Sequence, residues 1–275
     1  MSIFSLNAYT SLWNYTGYPA VQSLEASLCE IASAGYGVEL WPYFATIDPY
    51  RPNFELPHHL FQPQYRASLK AWLGATPSAW HGRGTAPPIH AKTLEDFQEQ
   101  IDTAAYLGSS VISVHEIGEG VTAENPDGNL DFARRVVSYA KERGVRIALE
   151  TIWPIAPFQQ VVAALKDLAI CVDPACIYRH LDAPIEAYVE PYKDRICYLH
   201  LYDNIDGKSH LPPGAGDTPE EDWVYLLKVL KAIEFTGPAV YEVHPAPERV
   251  GQTPLETVQE GRQYLEGLIA RYLER

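Results

Sequence analysis

The chain has 275 residues, 47% of them hydrophobic and 20% charged, which suits one soluble α/β domain with ample material for a core. Its formal net charge of −14 repels phosphate backbones, and no basic patch offsets it, because Arg134-Arg135 and Lys141 to Arg146 fall on one helix candidate. These numbers argue against an extended nucleic-acid interface, and no apolar run approaches the roughly 20 residues of a membrane helix.

In chain order, Met1 to Leu6 carries neither a basic n-region nor a small-residue cleavage site. Leu6 to Tyr9 reads as the first strand and Val21 to Ala34 as a helix with apolar spacing near 3.6. Gly37 to Trp41 is the second strand. A helix around Pro63 to Leu73 precedes the third strand, Ser78 to His81. Leu94 to Leu107 is a helix and Val111 to His115 a strand. Leu130 to Arg143 is an amphipathic helix with Gly144 as its C-terminal cap, before the strand Val145 to Glu150. Phe158 to Leu168, Ile185 to Tyr192, Asp222 to Ile233 and Leu255 to Leu273 supply the remaining helices. Eight near-continuous apolar strands alternating with helices predict parallel pairing with both faces buried. An open doubly wound sheet would need a glycine-rich turn after strand one to bind a dinucleotide, and none follows it. The expected fold is a single (β/α)8 TIM barrel spanning residues 1–275, with its active site at the C-terminal strand ends. Cys29, Cys171, Cys176 and Cys197 form no CxxC pair, and with the other features they predict a cytoplasmic, disulfide-free protein.

Four of the apolar runs end in a metal-ligand type of residue: Ile-Ala-Leu-Glu150, Ala-Ile-Cys-Val-Asp173, Ile-Cys-Tyr-Leu-His200 and Ala-Val-Tyr-Glu242. A lone carboxylate at a strand end usually signals a salt bridge. Four such positions on successive strands point toward one barrel axis, and a buried carboxylate is costly unless paired or metal-bound. Three carboxylates and an imidazole suit one divalent ion. Mn2+ or Mg2+ is favoured by the oxygen majority, with Co2+ and Zn2+ also compatible. A structural zinc site would want thiolates, and no such cluster exists.

Two long connections follow strand C-termini and are expected over the mouth. Pro42 to Pro63 is rich in aromatic residues, with His58 and His59, and Asp203 to Asp222 holds the Gly214-Ala-Gly216-Asp217 turn. Loops of this length serve as lids or binding loops, or else as self-packed surface or oligomer contacts.

At these residues the chain resembles the xylose isomerase-like TIM-barrel superfamily of sugar isomerases and epimerases, which also contains endonuclease IV. The resemblance runs from Gly35-Tyr-Gly-Val-Glu39-Leu-Trp41 through Glu150-Thr, Asp173-Pro-Ala-Cys176, His200-Leu-Tyr-Asp203-Asn204 and His210-Leu-Pro-Pro-Gly214-Ala-Gly216-Asp217 to Tyr241-Glu242. It implies Glu150, Asp173, His200 and Glu242 as metal ligands, with Glu150 and Glu242 also the acid/base pair on opposite faces of the substrate carbon. His81 and His115 match histidines that bind further zinc ions in endonuclease IV and line the pocket in single-metal relatives. Cys176 stands where the family often has His, which removes one expected ligand of a trinuclear zinc centre and weakens the endonuclease reading.

The chemistry these residues support is proton abstraction beside a carbonyl through a metal-stabilised enediolate. Return of the proton to the opposite face gives an epimerase; return to the adjacent carbon gives an isomerase. Expulsion of a β-substituent would give a lyase or dehydratase on a keto-sugar, inosose or glycoside. An endonuclease IV-like repair enzyme and a noncatalytic sugar-binding barrel stand behind these. Expected substrate contacts are His81, His115, Trp41, Trp153, Cys176 and His210, with the aromatic residues, Trp13 among them, open to a core role as well. Glu39 is read as orienting a ligand or pairing with a basic residue, and Asp203 as the acceptor behind His200. Arg83 between Gly82 and Gly84, with Lys208, is the one compact anion candidate, so an unphosphorylated sugar is expected. The partner is a small carbohydrate, without nucleic acid or membrane, in a homodimer or homotetramer by resemblance.

Overall fold

The computed structural model describes residues 4–17, 24–41, 66–82, 93–117, 121–180, 183–206, 208–244 and 252–274. The Pro42 to Pro63 connection with His58 and His59, the Arg83 and Gly84 pair, and the side chains of Trp13, His180 and Lys208 lie outside the described residues.

The strands are β1 (Asn7–Ser11), β2 (Gly37–Leu40), β3 (Ser78–His81), β4 (Val111–Val114), β5 (Arg146–Glu150), β6 (Ala169–Val172), β7 (Ile196–Leu201), the short pair β8 (Asp203–Ile205) and β9 (Lys208–Leu211), and β10 (Pro238–Tyr241). All but β8 and β9 close into one barrel in the order β1-β10-β7-β6-β5-β4-β3-β2, with parallel pairing around the ring. The helices α1 (Leu24–Ser33), α2 (Arg66–Leu73), α3 (Leu94–Leu107), α4 (Leu130–Glu142), α5 (Ile155–Ala164), α6 (Pro174–His180), α7 (Ile185–Val189), α8 (Glu220–Ala232) and α9 (Pro254–Tyr272) connect or follow the strands. Capping boxes start two of them, Thr93 with Asp96 and Thr253 with Glu256. This is the eight-stranded barrel that the strand–helix alternation predicts, and among the described residues no helix is long and apolar enough to cross a membrane.

Several details depart from the sequence reading for local reasons. Helix α5 starts at Ile155 rather than Phe158, because Pro157 fits a first helical turn, where no backbone N–H is needed. The single helix expected over Ile185 to Tyr192 is α7 followed by a 3-10 helix, Glu190–Arg195, with Pro191 in its first turn. The connection after Asp203 is not wholly irregular: β8 and β9 pair antiparallel across it.

Two packed regions result. A large cluster fills the space between strands and helices. A small one, with Ala79, Val111, Ala148, Ala169, Cys171, Cys197, Tyr198 and Val240, forms the barrel interior.

Candidate metal centre

Side chains alternate faces along a strand, so a residue two positions beyond an inward one points inward as well. Ala148, Cys171, Tyr198 and Val240 all belong to the interior cluster. Two residues further along stand Glu150, Asp173, His200 and Glu242. Period two thus brings all four predicted residues to the C-terminal mouth, and each is at most 4% exposed.

His200 is the hub. Its Nδ1 lies 3.1 Å from Glu150 Oε2 and 3.8 Å from Glu242 Oε2. Its Nε2 lies 3.0 Å from Glu39 Oε1. Asp173 heads α6 and accepts the Cys176 backbone N–H at 2.8 Å through Oδ1, so the same carboxylate that faces the site caps the helix behind it. Thr151, directly after Glu150, accepts the Asp173 backbone N–H at 2.8 Å and locks the ends of β5 and β6 together.

Asp173 Oδ2 and Glu242 Oε1 are buried oxygens with no hydrogen-bond partner, whereas Glu150 Oε2 lies 3.1 Å from both His200 Nδ1 and His115 Nε2. Placing an ion in a protein interior costs on the order of several kcal/mol even after relaxation. Here four buried carboxylates, Glu39 included, stand with the imidazoles of His81, His115 and His200. Among the described residues, ligand atoms lie within 4.8 Å of one another in the trios His81–His115–Glu150, His81–His200–Glu242 and Glu150–Cys171–His200, and Asp173 belongs to none of them. The donor set fits a divalent cation.

The neighbourhood drives these groups apart in proton affinity. Burial pushes Asp173 up to about 8, helped by the negative charge of Glu150. Burial also raises Glu242 well above the carboxylate range, and Glu39 and Glu150 add to it against the pull of His200. Glu150 goes the other way: burial opposes, but His200 and His115 hold it well below its ordinary value. His200 itself is raised despite its burial, by Cys171, Glu242, Glu150 and Glu39. Glu39 is held at about 2, because the charge and hydrogen bonding of His200 overcome burial. Burial lowers His81 to about 3.

The expected substrate contacts divide. His81 and His115 stand at the site: His115 Nε2 meets Glu150 Oε2 at 3.1 Å, and the His81 ring stacks on Trp41 with centroids 3.7 Å apart. His210 holds the Glu242 carbonyl through Nδ1 at 2.9 Å and adopts a left-handed backbone, φ 63°, a strained conformation for a non-glycine residue. Cys176 is buried beside Asp173 and Tyr202. Trp153 takes the core role: it is buried, and its indole N–H donates to the His115 carbonyl at 2.8 Å.

Asp203 is a correction. Glu39, not Asp203, meets the far nitrogen of His200, and it also accepts from the Tyr198 hydroxyl and the Trp41 indole, each at 2.6 Å. Asp203 instead gathers the backbone N–H groups of Asn204, Gly214, Gly216 and Thr218, at 2.9 to 3.1 Å. It pins the loop after β9 to the barrel. A side chain at position 216 would come within 2.6 Å of Asp203 Oδ1, so glycine is needed there.

Three residues escape the sequence reading. Asn14 donates to the Tyr241 carbonyl at 2.7 Å and accepts the Val243 N–H at 2.9 Å, gripping both neighbours of Glu242. Tyr202 lies beside Asp173 and stacks on His210 with centroids 4.1 Å apart. Cys171 reads as a core residue from its apolar run. For Asn14 no local signal exists, since its partners are 227 and 229 positions away.

The family model for the xylose isomerase-like TIM barrel matches residues 44–268. The chain belongs to this family. Among solved structures it is similar to a D-tagatose 3-epimerase-like protein at 19% identity and a TM-score of 0.70, covering 98% of this chain and 99% of that one. The IOLI protein crystallised with a bound zinc atom gives 17% identity and a TM-score of 0.69, over 98% and 100% of the two chains. The D-allulose 3-epimerase of Methylomonas sp., in complex with D-allulose, gives 18% identity and a TM-score of 0.62, over 97% of each chain. Identities this low carry the fold alone. Comparison with curated protein sequences finds no significant match.

Proposed function

We propose that the protein is a divalent-metal-dependent sugar isomerase or epimerase that moves a proton beside a carbonyl. The observation that carries this reading is the burial of Glu150, Asp173, His200 and Glu242 at one mouth of the barrel, with Glu150 and Glu242 both facing His200 Nδ1. The family membership and the epimerase names of the structural neighbours support it.

Glu150, Asp173, His200 and Glu242 would hold the cation, which when bound supplies stabilisation of the negative charge that develops on the substrate carbonyl oxygen. The two glutamates divide the proton work. Glu150, held ionised by His200 and His115, takes the proton from the substrate carbon. Glu242, whose environment favours the protonated form, delivers its own proton. Delivery to the opposite face of the same carbon inverts it, and delivery to the neighbouring carbon, with the hydroxyl proton passing from one oxygen to the other, exchanges aldose and ketose. Afterwards Glu150 carries the proton and Glu242 the charge, so the reverse reaction uses the pair in exchanged roles. Glu39, ionised and bonded to Nε2, keeps the His200 ring oriented. Trp41 and His81 offer an aromatic wall for a sugar ring.

The test is proton NMR in D2O with Mg2+ present, over a panel of free ketoses, keto-sugars and inososes. A C–H signal that disappears as a new sugar grows in supports the reading. An unsaturated product would move the activity to a lyase. Metal binding with no exchange on any member of the panel would speak for a barrel that only binds sugars.

A further inference from the structure

Below the four-residue cluster, one more donor-type side chain opens into the same space. Cys171 lies in β6 two residues before Asp173, inside the barrel, with Glu150 and Tyr198 as its register partners. It is fully buried and forms no disulfide. Its Sγ, a Glu150 oxygen and a His200 nitrogen all lie within 4.8 Å of one another. Those two neighbours lie 3.1 Å apart through Glu150 Oε2 and His200 Nδ1, so the sulfur stands beside a pair that the proposed site already uses. The interior positions beside it on β5 and β6, Ala148 and Ala169, are purely apolar. Packing alone would be served by alanine or valine here.

We propose that Cys171 is a fifth, soft donor of this centre, whose thiolate biases it toward thiophilic divalent ions such as Cd2+, Zn2+ and Co2+ over Mg2+ and Mn2+. The inference rests on Glu150, Asp173, His200 and Glu242 being the metal site. Three carboxylates with one imidazole tilt a site toward hard ions, and a sulfur ligand moves that preference because thiolates bond most strongly to soft and borderline metals. As the bond from Sγ to the ion forms, the S–H bond breaks and its proton passes to solvent; no electrons are exchanged. Cys176 and Cys197 are separate from this trio: the first lies beside Asp173 and Tyr202, the second near Arg146 at the other end of the barrel.

The test loads metal-free protein with Cd2+ or Co2+ and records the sulfur-to-metal charge-transfer absorption. The band is expected in the unmutated protein and in Cys176→Ser, and lost in Cys171→Ser. The preference for Cd2+ over Mn2+ should fall with it by about tenfold or more, at least what loss of an outer-shell partner costs. Cys171→Ala provides a second variant, and ¹¹³Cd NMR of the unmutated protein reads sulfur ligation without any substitution. A ¹¹³Cd resonance typical of oxygen and nitrogen ligands only, or a band that survives in Cys171→Ser, overturns the proposal and leaves the four-residue site standing. Failure to bind any divalent ion stoichiometrically overturns both.

Discussion

The two ends of the barrel treat charge in opposite ways. At the mouth Glu39, His81, Glu150, Asp173, His200 and Glu242 are all at most 4% exposed. At the other end a cleft of about 460 Å3 is lined by Arg146, Lys193, Asp194 and Glu234 among apolar strand starts, and its charges reach solvent. Lys193 there pairs with Glu190 at 2.6 Å, a one-to-one ion pair between half-exposed side chains. Such pairs are screened and contribute little. The mouth has no such simple arrangement: four buried carboxylates share the imidazoles of His81, His115 and His200. Exposed pairs at one end are ordinary surface, whereas buried ionisable groups gathered at the other are the arrangement expected of a functional site.

Substitutions that remove the chemistry of the mouth should have the largest effect. Glu150→Gln and Glu242→Gln are each expected to lower kcat by about 10²- to 10⁴-fold, the usual contribution of a general acid or base. Metal content measured on the same samples separates lost chemistry from lost metal. Near-normal turnover in both variants would sink the paired-carboxylate reading.

Next comes the clamp behind Glu242. Asn14→Ala frees the backbone on both sides of that glutamate, and kcat should fall by up to about 10²-fold with metal stoichiometry and KM nearly unchanged. If kcat holds while only the denaturation midpoint drops, Asn14 is a stability residue and nothing more.

A pH series sharpens the contrast from the mouth's side. Asp173 without a cation titrates near 8 because burial and Glu150 raise it. Below that pH it holds a proton that an incoming metal must displace, and above it the carboxylate is already free. Metal affinity should therefore weaken as pH is lowered through 8, by up to about tenfold per unit for each proton displaced. Calorimetry in buffers of different ionisation enthalpy would detect the released protons; none released at pH 7 contradicts the buried, protonated state.

The smallest effect belongs to the opposite end. Lys193→Ala should change neither turnover nor the denaturation midpoint measurably, and a clear loss of activity would mean that the cleft communicates with the mouth.

Much of this was legible before folding, because it depends on local periodicity. An apolar run ending in Glu, Asp or His shows a buried strand delivering a ligand-type residue, and four runs of this kind give barrel strands and the buried residues at their C-terminal mouth. Asp173-Pro174 even contains the cap and first turn of α6, though the helix itself went unread. Asp203 shows the limit of a sequence motif. Its spacing from His200 suggested an acceptor for the imidazole, yet its carboxylate collects four backbone N–H groups and leaves that place to Glu39.

What the sequence by itself determined is therefore which side chains face inward and at which end, since alternation by two along a strand needs no distant partner. Only the tertiary structure decided who meets whom across the closed ring: Glu39 with His200, 161 positions apart, Asn14 with the backbone around Glu242, and Cys171 with the pair Glu150 and His200. Barrel closure brings strands together whatever their separation along the chain, and no local pattern encodes the distance between side chains that meet only when the ring is complete.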